Sequence, residues 1–127
     1  MNLFSIYVGL SVLLITVLAM NISRLRMKEK IGTGDGGNKP LAKAIRAHMN
    51  SIEHILPYSL VMYVLVWQEL PFIFLSIMGF GFLLTRVLNS FSMLGSRFRL
   101  RQITAGFTYL FEVVGCLTNL GAAVASQ

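Results

Sequence analysis

The chain has 127 residues, of which 55% are hydrophobic and only 13% are charged. A soluble domain usually carries about 25% charged residues, and a membrane-spanning helix needs roughly 20 apolar residues. Four such helices with short connections would use almost the whole chain, which excludes a separate soluble domain and predicts one membrane domain over residues 1–127.

The net charge of +6 comes from eleven Lys and Arg residues that fall in two stretches, seven within residues 24–46 and four within residues 86–101. The apolar segments around and between these stretches carry no basic residue. Because basic loops stay on the cytoplasmic side of a membrane, we expect both stretches there and both chain termini on the opposite side. The positive charge is therefore a topology signal and not the footprint of a nucleic-acid-binding protein.

Four helices are predicted, at about residues 3–22, 41–67, 71–88 and 103–125. The first is a retained span, because its basic residues follow the apolar run instead of preceding it as in a signal peptide. A glycine-rich loop at 32–38 follows and formally matches G-x-G-x-x-G, but a dinucleotide site needs that motif between a strand and a helix. We interpret it as a flexible loop. Pro40 suits the first turn of the second helix, and the short link 68–71 predicts an antiparallel hairpin of helices two and three.

The second helix carries a polar stripe at spacings of four, three and four residues, formed by Arg46, Asn50, Glu53 and Pro57. These residues lie within an arc of about 60°, since an α-helix turns about 100° per residue. Charged groups inside a membrane face the bundle interior or a water-filled cavity. A cation, an amide and a carboxylate suit a zwitterionic ligand with carboxylates and an amine. The structural alternative is an internal Arg–Asn–Glu network that holds the bundle together.

The stretch 86–101 is the second candidate element. If it stays helical, Arg86, Asn89, Arg97 and Arg101 share one broad face, with Arg86 deepest because it follows an apolar run directly. A guanidinium lowers the pKa of a nearby thiol and pairs bidentately with carboxylates. Topology alone explains Arg99 equally well.

Two residues of the fourth predicted helix need separate interpretations. Cys116 is the only cysteine, so the chain forms no internal disulfide and no cysteine cluster for a metal, and we interpret it as a small apolar residue. Glu112 lies in an apolar helix without an evident role, and we expect it to pair with a residue of another helix or of a neighbouring subunit.

The run R-A-H-M-N-S-I-E-H-I-L-P at residues 46–57 resembles the R-x-x-x-N-x-x-E signature of the membrane-associated proteins in eicosanoid and glutathione metabolism (MAPEG). The Asp35-Gly36-Gly37 loop, Arg86 and the basic run after helix three are also similar to small bacterial-type members, so the resemblance covers essentially the whole chain. It implies a left-handed four-helix bundle assembled as a homotrimer, with active sites between subunits. Glutathione is then the co-substrate, and no metal is expected.

The resemblance also implies roles for individual residues. Arg101 is the best positional match for the arginine that stabilises the thiolate in active members, and Arg97 is the second. Arg26 is expected to reach glutathione from a neighbouring subunit, and His54 occupies a position at which many members have tyrosine. The implied glutathione-binding set is Arg26, Arg46, Asn50, Glu53, His54 and Arg86.

Three functions remain open at this point. The first is an enzyme that conjugates glutathione to an apolar electrophile or reduces a lipid hydroperoxide, with the substrate arriving laterally from the bilayer. The second is a non-catalytic lipid-binding or partner protein of the same fold, favoured by the lack of tyrosine between residues 86 and 101. The third is a small proton-coupled multidrug exporter, although exporters of that kind carry a key Glu in the first span, where this chain has no acid. A bacterial inner membrane is the expected location.

Overall fold

The protein is a bundle of four long helices. A computed structural model describes residues 2–125, in which no strand occurs. The helices are α1 (Asn2–Glu29), α2 (Lys39–Trp67), α3 (Phe72–Leu94) and α4 (Phe98–Ala125). This confirms the predicted all-α bundle. By length and apolar composition α1, α3 and α4 are able to cross a membrane. Helix α2 is equally long, but it carries the polar stripe.

The helices extend further toward the basic loops than the sequence predicts. Helix α1 continues to Glu29 instead of ending near residue 22, α3 continues to Leu94, and α4 begins at Phe98 instead of near residue 103. Lys and Arg favour helical conformation, and their long side chains let a helix project beyond an apolar layer. Apolar character therefore predicts the membrane-spanning segments but underestimates the lengths of the helices.

The chain between α1 and α2 forms a compact turn. Gly34, Gly36 and Gly37 adopt positive φ angles, a conformation that glycine reaches without strain. The Asp35 carboxylate accepts a hydrogen bond from Gly37 N at 2.9 Å, and the Asn38 side chain caps α2 by accepting from Leu41 N at 2.9 Å. The glycines of this loop thus serve backbone turns and lead directly into α2.

The apolar core lies in the half of the bundle away from the basic loops. Tyr7 of α1, Met62 of α2 and Phe82 of α3 are fully buried there. The Tyr58 ring stacks on Phe82 with centroids 3.8 Å apart, and its hydroxyl donates to the carbonyl oxygen of Met78 at 3.1 Å. Ile77–Gly81 forms a π-helical turn within α3. The opposite half of the bundle is left for polar side chains.

Helices α2 and α4 run parallel and in register. His54 contacts Glu112 and Val61 contacts Asn119, and both pairs are 58 residues apart in the sequence. Close approach of the two helices depends on Gly115, because a Cβ atom at this position would lie 2.7 Å from Val61 Cγ1 and 3.5 Å from Tyr58 Cε2.

Replacing Gly115 with valine is expected to lower the free energy of unfolding by about 1–3 kcal/mol, because the added methyl groups overpack the α2–α4 contact. Gly106→Val, on the same helix, is the matched control, since a Cβ there meets nothing within 4 Å. Thermal denaturation in detergent measures the difference. Equal melting temperatures for the two variants would contradict the packing role of Gly115.

Candidate functional site

A positively charged cavity of about 260 Å³ lies at the end of the bundle where α3 ends and α4 begins. We call it the basic pocket. Of the residues that the structure describes, no Asp or Glu lines this cavity. The basic pocket brings together three of the residues singled out from the sequence, namely Arg46, Arg97 and Arg101. Its walls are Lys43, Arg46, Ser92, Met93, Ser96, Arg97, Phe98 and Arg101.

The break between α3 and α4 places the arginines of the pocket. Ser96 has a positive φ of 56°, and Arg97 N donates to the carbonyl oxygen of Ser92 at 2.9 Å. Arg101 N then donates to the carbonyl oxygen of Arg97, which starts α4. The stretch 86–101 does not stay helical, because the chain turns between Leu94 and Phe98, so the condition for Arg86, Asn89, Arg97 and Arg101 to share one helical face is not met.

The arginines of the basic pocket differ in how they are held. The Arg97 guanidinium lies over the Phe91 ring, with Cζ 5.0 Å from the ring centroid, which is a cation–π geometry. Arg46 and Arg101 are exposed, and their side chains make no hydrogen bond or ion pair within residues 2–125. These two guanidinium groups are available to bind an anion from the basic end of the bundle.

Beside the basic pocket lies a buried polar network centred on Asn50. The Asn50 side-chain oxygen accepts from Arg86 Nη2 at 2.7 Å and from Asn89 Nδ2 at 2.8 Å. Arg86 also donates to the Asn50 carbonyl oxygen at 3.1 Å and to Thr108 Oγ1 at 3.3 Å. Thr104 Oγ1 donates to Asn89 Oδ1 at 3.1 Å. Helices α2, α3 and α4 are thus joined through Asn50, Arg86 and Asn89.

The network separates the roles of two residues predicted to bind the same ligand. Arg86 is only 1% exposed, so its guanidinium lies inside the bundle and not in the wall of the basic pocket. Asn50 is half-buried, and its side-chain NH₂ group has no partner among the described residues. Arg86 therefore contacts Asn50 and not the interior of the basic pocket.

A second cavity, of about 330 Å³, lies deeper between α2 and α4. On its wall His54 Nδ1 lies 2.7 Å from Glu112 Oε1, which confirms that Glu112 pairs across helices. Tyr109 packs edge-on against His54 with ring centroids 5.7 Å apart. Glu53 also lines the cavity; it is exposed, and within residues 2–125 it forms no ion pair. The predicted internal network of Arg46, Asn50 and Glu53 is wrong in two of its three residues. Asn50 is hydrogen-bonded to Arg86, and neither Arg46 nor Glu53 takes part.

Comparison with known proteins gives the family. The sequence profile described as the MAPEG family matches residues 4–121, nearly the whole chain. The chain belongs to the MAPEG family. The chain is also similar to Inner membrane protein YecN of Escherichia coli strain K12, with 28% identity over 116 residues, covering 91% of this chain and 88% of the relative. The protein of the same name from Escherichia coli O6:H1 matches equally well.

Within the MAPEG bundle, Arg26 lies apart from both cavities. It is near the end of α1, where Nη1 donates to the carbonyl oxygen of Ile31 at 3.4 Å. The contact of Arg26 with a ligand in a neighbouring subunit stays a prediction.

Sequence reasoning missed two threonines of this polar network. Thr104 and Thr108 are buried, and their hydroxyl groups contact Asn89 and Arg86 respectively. The available signal was their spacing of four residues, which places both on one face of α4.

Proposed function

We propose that this protein is a glutathione-dependent transferase or peroxidase of the inner membrane. The observation that carries the proposal is the basic pocket, where Arg46 and Arg101 are unpaired within residues 2–125, together with the NH₂ group of Asn50, one helical turn from Arg46, which has no partner among the same residues. Membership of the MAPEG family supports glutathione as the ligand, and the name of YecN supports the inner membrane.

Glutathione matches the distribution of charge along α2. Its glycine end carries a carboxylate, which suits the guanidinium groups of the basic pocket, and its other end carries an amine beside the second carboxylate, of which the amine suits Glu53. Seven residues separate Arg46 from Glu53, a rise of about 10.5 Å along an α-helix. An extended tripeptide spans about 10 Å. One glutathione molecule is therefore long enough to contact Arg46 and Glu53 at once, passing Asn50 on the way.

The chemistry begins with the glutathione thiol. A free thiol has a pKa of about 8.5, and the positive charge of Arg101 lowers the pKa of a thiol held beside it, which increases the thiolate fraction at neutral pH. In conjugation the sulfur forms a bond to carbon of an apolar electrophile while the leaving group departs with the electron pair. In peroxide reduction two glutathione molecules and one hydroperoxide give glutathione disulfide, an alcohol and water.

The exposed position of Glu53 supports a homotrimer. Glu53 lies in the middle of α2, and a carboxylate at such a depth must face protein or a water-filled cavity and not lipid. We propose that a neighbouring subunit covers this face and that its Arg26 completes the glutathione site. The basic loops face the cytoplasm, so glutathione enters from that side while apolar substrates arrive through the bilayer.

The test is a glutathione titration of the detergent-purified protein by calorimetry, with an ultraviolet scan for thiolate. We expect binding, a thiolate band, and turnover of 1-chloro-2,4-dinitrobenzene or of a lipid hydroperoxide. S-methylglutathione is the matched ligand control, because it keeps both carboxylates and the amine but gives no thiolate band. Binding without thiolate would assign a non-catalytic member of the fold. No binding at millimolar glutathione would overturn the proposal and favour lipid binding or transport.

A further inference from the structure

The network around Asn50 leaves donors, and not acceptors, without partners. The Asn50 side-chain oxygen is occupied by Arg86 and Asn89, and the Asn89 side-chain oxygen is occupied by Thr104. Among the described residues, the network groups that remain without a partner are Arg86 Nε, which is buried, and the NH₂ group of Asn50. Since the oxygen of Asn50 receives two donors, the orientation of its amide is fixed.

We propose that Asn89 and Thr104 are positioning residues, which hold the Asn50 amide so that its NH₂ group donates to an acceptor oxygen of the bound ligand. This inference rests on the proposed function, and it specifies the ligand atom that Asn50 recognises as a carboxylate or carbonyl oxygen. An Asn side chain in water presents either edge to a ligand. Here Arg86 and Asn89 donate hydrogen bonds to the side-chain oxygen of Asn50, so the oxygen edge faces the interior of the bundle.

Hydrogen bonds run in series from Thr104 of α4 through Asn89 of α3 to Asn50 of α2, and we call this series the relay. Thr104 fixes the Asn89 amide by donating to its oxygen, and this leaves the Asn89 NH₂ group directed at Asn50. Asn89 and Thr104 are each 3% exposed, so neither is available to touch a ligand directly. Both act on the ligand only through Asn50.

Asn89→Leu tests the relay, because leucine keeps the approximate volume and removes both polar groups. We expect glutathione affinity to fall about fivefold, the equivalent of one lost hydrogen bond of ordinary strength. Ser90→Ala is the matched control. It removes the buried 2.9 Å hydrogen bond between Ser51 and Ser90, which also joins α2 to α3 but does not touch Asn50. Its glutathione affinity is expected to stay within about twofold of wild type, because a group outside the relay does not couple to the ligand.

A double-mutant cycle separates positioning from general structural damage. If Asn89 acts through Asn50, then Asn89→Leu has no further effect on affinity in an Asn50→Ala background. Additive losses would overturn the relay. The Asn50→Asp variant gives an independent reading. It keeps an oxygen for Arg86, so the melting temperature is expected to stay at or above that of wild type, while the loss of the outward donor weakens glutathione binding by about tenfold or more.

The outcomes distinguish this inference from the proposed function. Wild-type protein that binds no glutathione would overturn both. Wild-type binding together with an unaffected Asn89→Leu variant, or with full affinity in Asn50→Asp, would overturn only the positioning role. Nuclear magnetic resonance of ¹⁵N-asparagine-labelled, ligand-free protein adds a readout that needs no ligand. The side-chain NH₂ signal of Asn50 should shift in Asn89→Leu and stay in place in Ser90→Ala, and an unshifted signal in Asn89→Leu would also overturn the relay.

Discussion

Arg46→Ala is expected to weaken glutathione binding by about 10- to 100-fold. A hydrogen bond to a charged group contributes about 1.5–3 kcal/mol, and every 1.4 kcal/mol corresponds to a factor of ten in affinity. The Arg46 side chain has no hydrogen-bond or ion-pair partner within residues 2–125, so its removal breaks no such bond and should leave the melting temperature nearly unchanged. Calorimetric titration of detergent-purified protein measures the change in affinity.

The matched control for this variant is Arg99→Ala. Arg99 is exposed and lies between Arg97 and Arg101 in the sequence, but it does not line the basic pocket. It removes the same charge from the same end of the bundle. Equal losses of affinity in the two variants would mean that the positive loops attract glutathione only as a diffuse field, and that the basic pocket is not the binding site.

Arg101→Ala is expected to lower turnover by about 100-fold while changing glutathione affinity much less. An electrostatic group that stabilises the reacting anion contributes about 10²–10³ in kcat, whereas the glycine carboxylate of glutathione keeps Arg46 and Arg97 as partners. The thiolate band of the glutathione complex at neutral pH should weaken in parallel, because the thiol loses the charge that lowers its pKa.

Arg101→Lys sharpens the test, since it keeps the positive charge and loses the planar guanidinium. We expect it to retain a larger share of the thiolate band than Arg101→Ala. An unchanged band in Arg101→Ala would contradict the assigned role, and Arg97→Ala would then be the variant to measure, because Arg97 lines the same pocket.

The fold could be predicted from the sequence because few backbone structures satisfy all their hydrogen bonds inside a membrane. Apolar runs of sufficient length must become helices, and the helix-two stripe at residues 46–57 follows from helical periodicity alone. The ends of the helices were harder to predict. The basic residues that extend α1 to Glu29 carry no apolar signal, and the turn at Ser96 depends on a left-handed backbone conformation that the residue pattern did not predict.

The site was only partly predictable for a different reason. Periodicity places Arg46, Asn50 and Glu53 on one face of a helix, but it does not say which of them another helix already uses. The structure shows that Arg86 and Asn89 occupy the oxygen of Asn50, and that Glu112 pairs with His54. Hydrogen-bond partners across helices depend on the rotation of each helix about its own axis, which one sequence does not encode locally.

The π-helical turn at Ile77–Gly81 determines that rotation for α3. A π-turn holds one residue more than an α-turn, so everything after it is rotated by about 100° relative to an uninterrupted α-helix. Leu75 meets the apolar core before the π-turn, Met78 meets it within the turn and Phe82 directly after it, whereas Arg86 and Asn89 meet Asn50 further along the helix. The inserted residue therefore sets the rotation at which both Phe82 and Arg86 face inward, so that one face of α3 supplies an apolar side chain to one half of the bundle and hydrogen-bonding groups to the other.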